Sequence, residues 1–168
     1  MKKGFVILNY NDYQSTSKLL DKIDMNVRDA IFCVVDNCST DNSYELLKKY
    51  EMHNCHIIKN EENRGYAAGN NVGCRYLIND FSVEIIFILN PDVEFEWQMV
   101  DRIVDVFVQH PEYQVLTPVM TNSDGETSVC PYIRIPTFLQ DVLLCFYSYN
   151  RLYEKMYSHE IDWKKEIM

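Results

Sequence analysis

The chain is short of the residues that build phosphate cradles and covalent staples. Only five of its 168 residues are glycine and five are proline. No GxGxxG stands at a strand-to-helix turn, and no glycine-rich loop follows the first apolar run, which speaks against a dinucleotide-binding dehydrogenase and against a sugar nucleotidyltransferase. The six cysteines, Cys33, Cys38, Cys55, Cys74, Cys130 and Cys145, form no CxxC pair and lack zinc-ligand spacing. Several lie inside apolar runs, so buried free thiols in a reducing compartment account for them best. Positive charge is scarce as well: 16 Lys and Arg face 25 Asp and Glu, a net charge of −9. A nucleic-acid partner would need a basic patch, so none is expected. No apolar run reaches the roughly 18 residues that span a bilayer, and no cleavage pattern follows Met1-Lys2-Lys3. The chain is therefore read as cytoplasmic, and Asn37-Cys38-Ser39 as a formal glycosylation acceptor only.

What is present is an apolar fraction of 47%, enough for one domain with a substantial core. Gly4 to Leu8 is a strand, and Leu19, Leu20 and Ile23 then recur at helical spacing. Ile31 to Val35 is a second buried strand ending at Asp36, followed by a loop dense in N-cap residues and a helix marked by Leu46, Leu47 and Tyr50. His56 to Ile58 is a third strand, Asn60 to Gly65 a polar turn, and Ala67 to Ile78 a helix rich in small residues. Glu84 to Leu89 is a fourth strand, apolar enough to be covered on both faces, with a helix over Trp97 to Val108 and a fifth strand over Gln114 to Thr117. Val119 to Thr121 and Thr127 to Val129 flank an Asp-Gly turn and predict a β-hairpin. Alternating strands and helices predict an α/β fold with a mostly parallel sheet flanked by helices. Thr137 to Tyr157 predicts an aromatic-rich amphipathic helix that covers the core or an interface with a second copy or a partner chain. Contact with a membrane surface is the minor reading, since such anchors usually carry more basic residues.

In such a sheet the loops after the first, second and fourth strands meet on one edge, where α/β proteins bind ligands. They bring Asn9, Tyr10 and Asn11, then Asp36 with its Asn, Ser and Thr neighbours, then Asn90 and Asp92, with the Asn63-Arg64-Gly65 turn nearby. Each residue has a plain explanation, because Asn-Pro-Asp is good turn chemistry and Asp36 or Asn63 could be N-caps. Convergence favours a nucleotide site instead: Asp36 can accept hydrogen bonds from a base imide or ribose, and Tyr10 can lie against a ring.

Three stretches carry a resemblance. Val35-Asp36-Asn37-Cys38-Ser39-Thr40-Asp41-Asn42-Ser43, Asn60-Glu61-Glu62-Asn63-Arg64-Gly65-Tyr66-Ala67-Ala68-Gly69-Asn70-Asn71-Val72-Gly73 and Leu89-Asn90-Pro91-Asp92-Val93 resemble the family 2 glycosyltransferases, particularly their rhamnosyltransferase-like branch, in order and approximate spacing. The opening Val6 to Asn11 agrees. The resemblance implies a GT-A (nucleotide-diphospho-sugar transferase) fold, with residues 1–131 as the nucleotide-sugar-binding core and 132–168 as a helical extension of it. It further implies a nucleotide-diphosphate sugar donor, a glycan or lipid-linked acceptor, a divalent cation (Mg²⁺ or Mn²⁺), and transfer with inversion, in surface polysaccharide synthesis at the inner face of the membrane. By position, Asn9, Tyr10 and Asn11 line the nucleotide pocket, Asp36 reads base or ribose, Asn63 and Arg64 border the base, and Asn70 shapes the pocket from the next helix. Asn90-Pro91-Asp92 stands where many relatives have Asp-x-Asp, which leaves Asp92 as the metal ligand. The downstream acidic motif that supplies the general base in relatives has no match before Met168, and Glu94, Glu96 and Asp124 do not fit it. The catalytic base is therefore unassigned, and the chain is expected to be the donor-binding half of such an enzyme. A non-catalytic or split-enzyme nucleotide-sugar module is the alternative.

Overall fold

The computed structural model describes residues 1–24, 27, 29–121 and 127–128. It separates into two units, Met1–Gln114 and Val115–Met168. In the first, the chain runs β1 (Lys3–Asn9), α1 (Tyr13–Lys22), β2 (Ala30–Asp36), α2 (Ser43–Leu47), a 3-10 turn (Lys48–Tyr50), β3 (Cys55–Lys59), α3 (Tyr66–Phe81), β4 (Ile85–Leu89) and α4 (Trp97–Gln109). The four strands are parallel in the order β3-β2-β1-β4. The chain winds from β1 outward to β3, then crosses back to lay β4 on the other side of β1. The order thus reverses between β1 and β4, a topological switch point of the kind that opens a crevice beyond the carboxyl ends of the strands.

The strand residues alternate between two cores. Phe5, Ile7, Phe32 and Val34 point to the face covered by α1, α2 and α4, through Leu19, Leu20, Leu47 and Val100. Register stacks Phe5 on Phe32 and on Phe87 of the flanking strands, both at 4.9 Å between ring centroids, and Trp97 of α4 meets Phe5 edge-on at 5.5 Å. Such pairs add about 0.5–1.5 kcal/mol each beyond their buried area. Val6, Cys33 and Val35 point to the other face, against Leu77 of α3.

The small residues of α3 have a purpose there. A Cβ on Gly69 would lie 2.5 Å from Leu8 Cδ1, and one on Gly73 would lie 2.7 Å from Val6 Cγ1. Two glycines at i and i+4 on one helical face therefore let α3 lie directly on β1 and β2. That close seat has a cost at the sheet margin: Ile88 of β4 is 52% exposed. The expectation that β4 is covered on both faces is corrected accordingly, because α3 is drawn onto β1 and β2.

The expected fifth strand does not form either. Gln114 to Thr117 carries no strand, and Val115 is 85% exposed. The run is four residues long and abuts Pro118, which has no N–H for a ladder and restricts Thr117. The hairpin is present, with β5 (Met120–Thr121) antiparallel to β6 (Thr127–Ser128). Its Asp-Gly turn, the boundary at 131 and the segment from Thr137 to Tyr157 lie outside the described residues. Among the described residues no helix is long and apolar enough to cross a membrane.

Candidate functional site

Parallel register places Asn9 and Asp36 side by side where β1 and β2 end. Both are fully buried. Asn9 Nδ2 donates to Asp36 Oδ2 at 2.9 Å and to Ser39 Oγ at 3.2 Å, and Asn9 Oδ1 accepts from Thr16 Oγ1 of α1 at 2.9 Å. The other Asp36 oxygen accepts from the Ser39 N–H at 2.9 Å. A buried carboxylate is costly unless its oxygens are satisfied, and here two N–H donors face it. Since a carboxylate only accepts, the Asn9 amide is fixed with its nitrogen toward Asp36 and its oxygen toward Thr16.

The loop from β1 is stitched to the loop from β2 by Asn11, which adopts a positive φ of 53°, a conformation that Asn tolerates better than most residues. Its Oδ1 accepts from Thr40 N–H at 2.7 Å and Asp41 N–H at 3.3 Å, while its own N–H donates to Ser39 Oγ at 2.9 Å. Ser43, whose hydroxyl lies beside Asp41 and whose N–H donates to Asp41 Oδ1 at 2.9 Å, holds the exposed Asp41 carboxyl below its ordinary pKa. Tyr10, between the two asparagines, is 47% exposed.

The turn after β3 is held by a residue that the sequence reading left among the neighbours of Asp36. Asn37 is 2% exposed. Its Nδ2 donates to Asn63 Oδ1 at 2.8 Å and its Oδ1 accepts from Asn60 Nδ2 at 3.0 Å. Buried and bonded at both atoms, Asn37 is no glycosylation acceptor in this fold. Arg64 is turned to its own loop, where its guanidinium pairs with Glu62, Nε donating to Oε1 at 2.6 Å. Gly65, at φ 90°, leads into α3.

Beyond β4, Val93 N–H closes the Asn90-Pro91-Asp92 turn on Asn90 O at 3.2 Å. Asn90 and Asp92 are both exposed. Tyr66 Oη donates to Asn90 Oδ1 at 2.7 Å and so links this turn to the start of α3. Four residues on, Asn70 is 3% exposed; its Nδ2 donates to Tyr66 O at 3.1 Å, and its Oδ1 is buried without a protein partner. Glu94 forms an ion pair with Lys22, which holds its carboxyl below the usual value.

The structure thus brings Asn9 and Asp36 into direct contact, joins Asn11 to both through Ser39, and ties Asn63 to the end of β2 through Asn37. Asn90 is joined to the site through Tyr66, whereas Arg64 is engaged with Glu62. Asn37 and Ser39 were read only as neighbours of Asp36, and Thr16 and Tyr66 are the members that sequence reasoning missed. Asn37 and Ser39 had a signal, adjacency to Asp36; Thr16 and Tyr66 had none, because their roles depend on where α1 and α3 dock. Among the described residues no group of three or more His, Cys, Asp or Glu could hold a metal by itself. One exposed carboxylate suits a cation that is also held by phosphate oxygens and water, the usual manner for Mg²⁺. A cavity of about 300 Å³ lined by Leu20, Ile23, Lys49 and Met52 lies at the opposite end of the strands and takes no part in this arrangement.

With that geometry in place, comparison with known proteins is decisive about family. The sequence model of glycosyl transferase family 2 matches residues 5–167. The chain belongs to this family. It is 31% identical over 122 residues to the low-salt glycan biosynthesis hexosyltransferase Agl10 of Haloferax volcanii, a match that covers 73% of this chain and 38% of that protein. Among solved structures, S. aureus TarS 1–349 aligns with a TM-score of 0.52 at 22% identity, over 66% of this chain and 33% of that 1–349 chain. Its complex with UDP aligns at 0.53, with the same identity and coverage. The mostly parallel sheet flanked by helices is thus the GT-A fold, and this glycosyltransferase-family chain spans 38% of the length of the curated relative it matches.

Proposed function

We propose that the chain binds a nucleotide-diphosphate sugar in the switch-point crevice and serves transfer of that sugar, with inversion, to a glycan or lipid-linked acceptor in surface polysaccharide synthesis. The work would be done in the cytoplasm, at the inner face of the membrane. The observation that carries this reading is the bonded array of Asn9, Asn11, Asp36 and Ser39 at the ends of β1 and β2, facing the Asn90-Pro91-Asp92 turn across the point where strand order reverses. Family membership and the likeness to hexosyltransferase Agl10 support it.

The roles follow from the donors and acceptors present. Asp36 is the acceptor for a base imide or ribose hydroxyl, which reaches it only when the loop carrying Ser39 shifts, since Asp36 has no exposed surface; Tyr10 offers a ring face, and Asn63 and Arg64 border the base. Asn70 contributes a buried acceptor that has no protein partner. Because the Tyr66 hydroxyl occupies Asn90 Oδ1, Asn90 is left with its amide N–H groups to donate to an anionic oxygen. Asp92 would hold Mg²⁺ or Mn²⁺ together with the diphosphate, and the bound cation supplies Lewis-acid stabilisation of the leaving group.

Thermal melting with UDP, dTDP and GDP, each with and without Mn²⁺, tests the reading. A ligand at 100 times its Kd stabilises by about 2.7 kcal/mol, a shift of roughly 5–10 °C for a domain of this size. If none of the three raises the melting temperature, the donor site is not here.

A further inference from the structure

We infer that Asn37 is a positioning residue: its buried carboxamide clasps the Asn60–Gly65 turn to the end of β2 and so sets the width of the nucleotide crevice. The inference rests on the donor-site reading above. Asn37 follows Asp36 directly, and its side chain reaches across to the next loop instead of toward the crevice. Its two bonds, with Asn63 and Asn60, meet the turn at both ends, and Nδ2 also lies 3.5 Å from Gly65 O. A backbone bond from Asn60 N–H to Asp36 O at 2.8 Å anchors the start of the turn; at its far end Gly69 N–H donates to Gly65 O at 3.1 Å as the chain enters α3, and the Asn37 side chain joins that end to β2.

The orientation of all three amides follows from one backbone group. Gly65 N–H donates to Asn63 Oδ1 at 2.8 Å, so that atom must be the oxygen. Asn37 must then present its nitrogen to Asn63 and its oxygen to Asn60, which in turn donates. No member can rotate without leaving a donor facing a donor or an acceptor facing an acceptor, and inside the protein such a mismatch is expensive. The clasp also has a hard backstop, since a Cβ on Gly69 of α3 would lie 3.2 Å from Asn37 Cγ. Asp36 and the base-bordering Asn63 and Arg64 are therefore held at one separation by a side chain that need not touch the nucleotide.

Two substitutions distinguish this role from space-filling. Asn37→Asp keeps the shape and the acceptor for Asn60 but turns a second acceptor toward Asn63 Oδ1. Asn37→Ala leaves a gap into which water can enter and bridge Asn60 and Asn63. A clasp predicts the isosteric variant to be the worse of the two, whereas a space-filler predicts the reverse. For whichever of UDP, dTDP or GDP binds the wild type, Kd should rise about tenfold in Asn37→Asp and less in Asn37→Ala. Amide exchange at Gly65 should quicken about tenfold in Asn37→Asp while exchange in β1 and β2 stays at wild-type rates. Wild-type affinity in Asn37→Asp, a milder loss in Asn37→Asp than in Asn37→Ala, or faster exchange spread through β1 and β2 would each overturn the inference. Failure of all three nucleotides to bind the wild type instead removes the donor-site reading, and the inference falls with it.

Discussion

The two sides of the switch-point crevice are built differently. At the ends of β1 and β2, the polar residues are buried and bonded to one another: Asn9 and Asp36 have no exposed surface, and Asn37 is 2% exposed. At the end of β4, Asn90 and Asp92 stand in solvent, with Tyr66 as the side-chain partner of Asn90. The first side is finished before any ligand arrives, so its geometry is bound up with the stability of the fold. The second side gains little from folding and is complete only with an anion or cation bound. Substitutions should therefore cost stability and binding together on the first side and binding alone on the second.

Asp36→Ala should show the largest effect. It takes one acceptor from the buried Asn9 amide and the acceptor of the part-buried Ser39 N–H, and leaves a gap in the array, which costs about 2–4 kcal/mol, and it removes the acceptor proposed for the base or ribose. Chemical denaturation should report the loss of stability, and nucleotide titration a loss of measurable binding. A variant of wild-type stability would mean that the buried array is not load-sharing with the core. Gly69→Ala comes next. Its new methyl meets Leu8 Cδ1 at 2.5 Å and Asn37 at 3.2 Å, so the Leu8 side chain must turn away, α3 lift from the sheet or the clasp shift, at about 1–3 kcal/mol for overpacking. The expected signature is lower stability with weaker nucleotide binding, whereas an unchanged melting temperature would show that α3 has slack over β1.

The contrast between the two sides also explains how much could be read from sequence. Uninterrupted apolar runs such as Ile31 to Val35 announced buried parallel strands, and their polar exits, Asn9 and Asp36, announced the ligand edge. The Asn-Pro-Asp turn was equally visible because Pro and Asn mark turns whatever surrounds them. Thr16 and Tyr66 were invisible as site members, since a threonine in a helix and a tyrosine at a helix start look ordinary until α1 and α3 are docked. Gln114 to Thr117 misled because four apolar-leaning residues satisfy a local strand pattern, while a ladder also needs a partner strand and free N–H groups, and Pro118 has none to give. Ile88 misled in a similar way: apolarity showed that it belongs to a strand, but only the seat of α3 on Gly69 and Gly73 decided which strand would be left partly bare.

On the exposed side, Asp92→Ala should leave stability within about 0.5 kcal/mol of wild type, as for other surface positions. Its effect should appear only in binding. If Asp92 holds the cation, Mn²⁺ strengthens nucleotide binding to the wild type, and the variant loses about tenfold or more of that enhancement, the loss of one charged ligand. Titrations with and without Mn²⁺ measure the difference. An enhancement equal to that of wild type would move the ligand elsewhere, and a large fall in stability would erase the distinction between the two sides.

The smallest effect is expected for Tyr66→Phe, and it probes the one bond that joins the exposed turn to the rest of the site. In the arrangement observed the hydroxyl donates to the Asn90 oxygen, which leaves the N–H groups free for an anion. Without it the carboxamide can turn over and present an acceptor to the diphosphate half of the time, which weakens binding about two- to threefold, a fraction of one hydrogen bond. The ring stays, so stability should not change. Asn90→Asp supplies the converse: Tyr66 keeps an acceptor, but the anion now meets a carboxylate. Nucleotide binding without Mn²⁺ should fall further than in Tyr66→Phe, and its dependence on Mn²⁺ should rise. Asn90→Asp binding the metal-free nucleotide as tightly as wild type would show that Asn90 does not donate to the diphosphate. The Tyr66 bond would then be a surface contact of no consequence for the ligand.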